Sequence, residues 1–280
     1  DKIDKLMEFI NPIEFKLMID EYHNFLKQYS FRDKAINGVL AHFKEFKSYC
    51  FLSATPIPNN LKPAIFNDIT EYMADWNTTD EITVYPYHTN TPYMVAAKFI
   101  KTYQAKGCLN VNGIESKEAY FFINSVTEIK AILKQTQLTE DDYRIICADN
   151  PKNRKTLEGY TISSSADAPK KFNFITSKSF EGVDFHSETG LCFVVSNVQN
   201  RHTLVSIDMD IPQIVGRIRT KSNPFRNKVV HIFNTKATDH YTTFEDMKLI
   251  VDEEVKAAQE RADMLNNAKL LEAAIKQQVN

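Results

Sequence analysis

Five short strings in this chain bring together side chains that can do chemistry, and four of them directly follow an expected strand. Asp20-Glu21-Tyr22-His23 comes after the apolar run Phe15-Lys16-Leu17-Met18-Ile19. A carboxylate at the end of a buried strand can hold Mg²⁺, a hard cation that prefers oxygen and keeps much of its water. An adjacent second carboxylate can orient or deprotonate an attacking water. Asp20 is the candidate metal ligand and Glu21 the candidate base; a solvated strand end is the plain alternative. Ser53-Ala54-Thr55 ends a second apolar run, Tyr49 to Leu52. Its two hydroxyls can bridge polar neighbours, or serve only the turn before Pro56.

The third string, Ser177-Lys178-Ser179-Phe180-Glu181-Gly182-Val183-Asp184-Phe185, follows the expected strand Phe172 to Thr176. Glycine is scarce here, with 7 in 280 residues, so Gly182 between two acids suggests a close approach or a positive φ. Asp184 can accept from a ribose hydroxyl, and Ser177, Lys178 and Ser179 can contact phosphates. The fourth is Gln213-Ile214-Val215-Gly216-Arg217-Ile218-Arg219, after Pro212, a residue suited to a helix's first turn. Gln213 and Arg217 are four apart and share a helix face. Gly216 permits close packing, and a guanidinium here can stabilise charge on a transferring phosphoryl group. The fifth is Asn124-Ser125, where Ser125 and Glu128 have capping-box spacing and a phosphate can rest at the helix start. A turn explains the third string, a solvated basic helix the fourth and a simple cap the fifth.

Strands and helices must alternate to position these groups. Glu14 to Ile19 and Tyr49 to Leu52 read as strands, with a helix over Ala35 to Phe46 between them. A polar stretch from Trp76 to Glu81 suggests a domain boundary. Further strands are expected at Ile82–Tyr87, Ala119–Ile123, Arg144–Cys147, Phe172–Thr176, Leu191–Ser196 and Lys228–Phe233. Helices are expected over Tyr93–Tyr103 and Val126–Leu133 and from Pro212, and a loop over Ser163–Lys171. This alternation predicts an α/β fold with mostly parallel sheets covered on both faces. From Thr243 to Gln278 the chain lacks Pro and Gly, and Phe244, Met247, Val251, Val255, Ala258, Ala262 and Leu265 form one stripe of a helix. That helical tail packs on its own domain or contacts a partner.

Composition excludes several classes. With 43% hydrophobic and 25% charged residues the chain has the balance of a globular protein. Its net charge of −2 requires any nucleic-acid contact to be a local basic surface. Cys50, Cys108, Cys147 and Cys192 are far apart; the first and the last two sit in apolar runs and read as reduced core thiols of a cytoplasmic protein. No run approaches the ~20 apolar residues of a membrane helix, and no signal peptide is visible.

In order and spacing, these strings resemble the core of superfamily 2 helicases, over roughly Lys16 to Asn234. Asp20-Glu21-Tyr22-His23 is similar to the DExH form of the Walker B motif, and Ser53-Ala54-Thr55 to the SAT motif. Phe122-Ile123-Asn124-Ser125 resembles motif IV, Ser177 to Asp184 motif V, and Gln213 to Arg219 motif VI. The nearest likeness is to DExH-type DNA helicases, including origin-binding-protein-like ones. The resemblance implies two RecA-like lobes with ATP between them: residues 1–80 as the later part of the first lobe, 81–236 as the second, and 237–280 as a helical tail. It implies that Asp20 holds Mg²⁺, that Glu21 activates water, and that His23, Ser53 and Thr55 couple nucleotide to lobe movement. Asp184, with Gly182, would lie by the ribose. Gln213, Arg217 and Arg219, with Gly216, would face the γ-phosphate. Asn124, Ser125, Ser177 and Ser179 would meet a nucleic-acid strand, DNA ahead of RNA.

Two departures stand out. None of the seven glycines precedes a lysine, so the phosphate-cradling Gly-Lys-Ser/Thr loop is absent. The expectation is an N-terminally truncated chain, inactive alone; a non-catalytic strand-binding or regulatory module with a degenerate core is the alternative. Motif VI also usually ends in an arginine where this chain has Thr220, with Arg219 one residue earlier.

Overall fold

The computed structural model describes residues 2–57, 62–74, 81–180, 183–207, 209–235, 243, 245–246, 248–253 and 255–256. The chain divides into two compact units, Asp1–Asn234 and Thr235–Asn280. In the second unit the described residues from 245 onward are helical; the rest of the expected tail lies outside the described residues, as do residues 76–80 of the polar stretch and Gly182.

The first unit contains two parallel sheets. The smaller pairs β1 (Lys16–Ile19) with β2 (Ser48–Phe51) in the register Ile19 to Phe51. α1 (Lys2–Met7) precedes β1, and α2 (Asn24–Lys27) and α3 (Tyr29–His42) run between the two strands. The expected helix over Ala35 to Phe46 therefore starts earlier and ends in a 3-10 turn at Phe43–Glu45. The expectation of a buried β1 from Glu14 needs correction. Glu14 belongs to a 3-10 turn, and Met18 is 68% exposed. One face packs on Tyr22, Phe51 and Phe66, whose rings meet edge-on or tilted; the opposite face is open.

The larger sheet has six strands, all parallel, in the order β3 (Thr83–His88), β10 (Lys228–Phe233), β9 (Gly190–Val195), β6 (Glu118–Phe122), β8 (Phe172–Ile175), β7 (Tyr143–Ile146). β7, β8 and β9 are buried at every residue, as a sheet covered on both faces requires. Pro86, which cannot donate to a ladder, sits in the edge strand β3. Helices α4 (Pro92–Lys106) and α5 (Val126–Thr136) belong to one face; α7 (Asp210–Val215) contributes Ile211, Ile214 and Val215 to the core on the other. α4 starts on Pro92 and stops at Gly107, whose φ of +78° closes the helix by donating to the Tyr103 carbonyl.

A hairpin and a helix around the larger sheet escape the periodicity argument. The hairpin β4 (Leu109–Val111) to β5 (Ile114–Ser116) turns on Asn112-Gly113, both at positive φ, the pair a tight two-residue turn requires. Helix α6 (Pro151–Thr156) is capped by Asn150, whose side chain accepts from the Asn153 N–H at 2.8 Å. Cys147 and Cys192 are buried, and burial pushes both thiols up, Cys192 to about 12. Cys50 is only half-buried, because β2 has an open face, so it is not the core thiol expected.

Gly190 opens β9 against a crowded wall. A Cβ there would lie 2.5 Å from the Tyr120 ring and 2.8 Å from Ser187 Oγ. Tyr120 is fully buried and packs on Phe185 at 5.0 Å, so it has little room to yield. Gly190→Ala is expected to destabilise the fold by roughly 1–3 kcal/mol, read as a lower urea midpoint; an unchanged midpoint would show that the wall gives way.

Candidate active site

The parallel pairing of β1 and β2 brings two of the chemical strings side by side. Leu52 N–H donates to the Ile19 carbonyl at 2.8 Å, and Tyr22 N–H donates to the Leu52 carbonyl at 3.1 Å. Both strands thus end at one level, with His23 and Ser53 facing each other. His23 is fully buried. Three oxygens surround its Nδ1: Ser53 Oγ at 2.8 Å, Glu21 Oε2 at 3.2 Å and Thr55 Oγ1 at 3.3 Å. With a carboxylate among them, Nδ1 is best satisfied as the nitrogen that carries the hydrogen, donating to Ser53. Ser53 Oγ also accepts from the Thr55 N–H at 3.0 Å.

Glu21 is unusual twice over. Its φ is +53°, a left-handed conformation that costs a non-glycine residue ~1 kcal/mol or more. Its Oε2 is enclosed and makes no hydrogen bond; the approach to His23 is close in distance but not aligned as one. Asp20 is exposed and its Oδ1 accepts the Glu21 N–H at 2.9 Å. Strain together with an enclosed carboxylate oxygen that makes no hydrogen bond belongs to functional sites more than to strand ends.

From Thr55 the contacts cross to the larger sheet. Gln213 Nε2 donates to Thr55 Oγ1 at 3.3 Å. Arg217 then closes on Gln213, with Nε to the Gln213 carbonyl at 2.8 Å and Nη2 to Oε1 at 3.2 Å. The two residues do meet, but not on one helix face. α7 ends at Val215, where Gly216, with a helical φ of −65°, caps it by donating to the Pro212 carbonyl at 3.0 Å; a Cβ on it would lie 3.2 Å from that carbonyl. Asp184 Oδ1 accepts from Arg219 Nε at 2.8 Å and lies 3.7 Å from Arg217 Nη1. Asp184 is thus engaged by both arginines.

A backbone stitch holds these arginines in place. Phe185 N–H donates to the Arg217 carbonyl at 2.7 Å, and Arg219 N–H donates to the Phe185 carbonyl at 2.9 Å. Thr220 Oγ1 accepts the Ser187 N–H at 3.0 Å. Thr220 was visible in the sequence only as a departure; its hydroxyl adds a third tie between the two segments. Arg144, which sequence reasoning passed over, is 1% exposed and lies 5.5 Å from the Phe185 ring centre, where a cation is favoured. A lone arginine in an apolar strand was its only signal.

The remaining candidates gather elsewhere, at the carboxyl ends of β6, β7 and β8. Connections from β6 and β9 run to opposite edges of the sheet here, which is where parallel α/β sheets open a crevice. The cleft has a volume of about 540 Å³ and is lined by Asn124, Ser125, Lys152, Thr176, Ser177 and Lys178, among others. Asn124 ties its walls, donating to the His202 carbonyl at 2.6 Å and accepting from the Ser177 N–H at 3.2 Å. Ser125 caps α5 by accepting from the Glu128 N–H at 3.4 Å. Burial raises the Glu128 carboxyl above its usual range, and His202 nearby opposes this. Ser179 is buried, so Ser177 and not Ser179 fronts the cleft.

No group of three or more His, Cys, Asp or Glu able to hold a metal occurs among the described residues, and no helix among them is long and apolar enough to cross a membrane. No protein-family model and no curated protein matches the chain.

The contacts of Ser53 have a direct consequence. Ser53→Ala deprives the buried His23 and the Thr55 N–H of their shared partner. The expected loss is about 1–3 kcal/mol, measured by chemical denaturation of the chain. A loss below a few tenths would mean that His23 is held by its other neighbours.

Proposed function

We propose that the protein is an ATP-driven motor that moves along or unwinds a nucleic-acid strand, DNA ahead of RNA. One observation carries this: an unbroken series of contacts runs from Glu21 through His23, Ser53, Thr55 and Gln213 to Arg217, Asp184 and Arg219. It joins a candidate base on the smaller sheet to two cations beside the larger one. On this reading the six-stranded sheet is the second RecA-like lobe, and the two-stranded sheet is the later part of the first. The strand-end cleft, with Lys152 and Lys178 and polar side chains, suits a phosphate backbone.

Hydrolysis asks few things of the protein. A water oxygen bonds to the γ-phosphorus, the bond to the β-phosphate's bridging oxygen breaks, and ADP leaves with that oxygen. Glu21 takes the water's proton, with its carboxylate held by the approach of Oε2 to His23. Arginine from the larger sheet neutralises charge on the transferring group. Asp20 and Glu21 supply only oxygen donors, the kind a hard cation takes. That fits Mg²⁺ shared between a carboxylate, waters and substrate phosphates. Bound there through Asp20, the ion would offset phosphate charge.

The absent Gly-Lys-Ser/Thr loop favours a second reading, a strand-binding module that does not hydrolyse ATP. The protein translated from its complete reading frame decides between them. Strand-stimulated ATP hydrolysis supports the motor; strand binding with no hydrolysis in any condition supports the module. The 280-residue chain by itself is expected to hydrolyse almost none.

A further inference from the structure

We propose that Arg219, not Arg217, meets the terminal phosphate, and that Asp184 positions Arg219 instead of binding a ribose. This assignment rests on the motor reading above.

The two arginines differ in what their guanidinium groups are free to do. Arg217 is 7% exposed. Its Nε and Nη2 donate to Gln213, and its Nη1 faces Asp184. Two of its three nitrogens are hydrogen-bonded within the protein, and the third lies in an ion pair at 3.7 Å. Arg219 is half-exposed, with 48% of its side chain accessible, and only its Nε is engaged, by Asp184. Its Nη1 and Nη2 make no hydrogen bond among the described residues. Those two nitrogens form one edge of the planar fork that matches a phosphate's paired oxygens.

Backbone geometry explains why the arginine stands at 219. The segment is extended at Ile218, which bridges Phe185 in parallel. In an extended chain, residues two apart project to one side. Arg217 and Arg219 therefore project together and converge on a single oxygen, Asp184 Oδ1. Residue 220 projects to the other side, and Thr220 is engaged there with Ser187. An arginine at 220 would face away from this cluster. Two cations sharing one half-exposed carboxylate leave a net positive charge beside an open edge, which is where an anion is drawn.

Asp184 is also poorly placed to be only a sugar ligand. Its Oδ1 is already engaged by Arg219, so its removal would release the Arg219 side chain first. A positioning role and a ribose role predict different responses to the sugar.

The test uses the protein from its complete reading frame, comparing wild type with Arg219→Ala, Arg219→Lys and Asp184→Asn. Strand-stimulated hydrolysis gives kcat, and calorimetric titration gives affinities for ATP and 2′,3′-dideoxy-ATP. Arg219→Ala is expected to lower kcat about 10³-fold, with ATP affinity and thermal midpoint close to wild type. Arg219→Lys keeps the charge but loses the fork, and should fall between. Asp184→Asn should lower kcat equally with both nucleotides and leave their affinity ratio unchanged. An Arg219→Ala enzyme near the wild-type rate overturns the assignment of the arginine. An Asp184→Asn variant that loses a wild-type preference for ATP over dideoxy-ATP restores the ribose role. A wild-type protein that hydrolyses nothing overturns the motor reading itself, and this assignment with it.

Discussion

Glu21→Gln is expected to lower strand-stimulated ATP hydrolysis about 10²–10⁴-fold, the usual contribution of a positioned base, while ATP continues to bind. The substitution keeps the side chain's size and removes its capacity to take a proton. Glu21 holds a φ of +53° and keeps Oε2 enclosed, 3.2 Å from His23 Nδ1 and without a hydrogen bond. A residue that served only to end a strand would gain from relaxing both features. The fold should survive, because the glutamine amide can occupy the same space. The thermal midpoint and the affinity for ATP are the controls. Hydrolysis at the wild-type rate, with both controls unchanged, would remove Glu21 from the chemistry.

The second large effect belongs to the sheet that carries the arginines. Phe121, Phe174 and Phe193 are paired in register across β8, β6 and β9. Their rings stack, with Phe121 5.5 Å from Phe174 and 4.7 Å from Phe193. All three are fully buried. Phe121→Ala would open a void between two rings that strands on either side prevent from closing. The expected loss is roughly 3–5 kcal/mol, seen as a fall in the urea midpoint at unchanged slope. Asn124 lies three residues on, so the strand-end cleft should loosen as well. A loss under about 1 kcal/mol would mean that the sheet can collapse around the void.

Much of the larger sheet was legible because its strands are continuous apolar runs bounded by polar turns. Lys228–Phe233 falls where expected, and the other strands shift by about one residue. Strand–helix alternation also anticipates the parallel sheet, since each crossover returns the chain in the same direction. The β4–β5 hairpin was not legible from periodicity, because three-residue strands carry no pattern. Its Asn112-Gly113 turn was nevertheless present in the sequence. The exposure of β1 was not legible either, for what lies against a strand is a non-local property.

The site divides in the same way. Placement after two apolar runs singled out Asp20, Glu21, Ser53 and Thr55 as two separate strings; that they and His23 belong together came from the resemblance. The partner of Asp184 was not visible. Its link to Arg219 spans 35 residues and depends on the Phe185–Ile218 bridge, which no local pattern announces. The Asn124 contact with the His202 carbonyl spans 78 residues and is equally hidden.

The bond between Thr55 and Gln213 joins the two sheets, and a double-mutant cycle on it tests whether their chemistry is shared. Thr55→Val and Gln213→Met are made singly and together in the protein from its complete reading frame, and strand-stimulated kcat is measured for each. Residues that act as one unit give non-additive losses. Each single variant should therefore be slower than wild type, and the double no slower than the slower single. Losses that multiply in the double variant would contradict a contact series that works as one device.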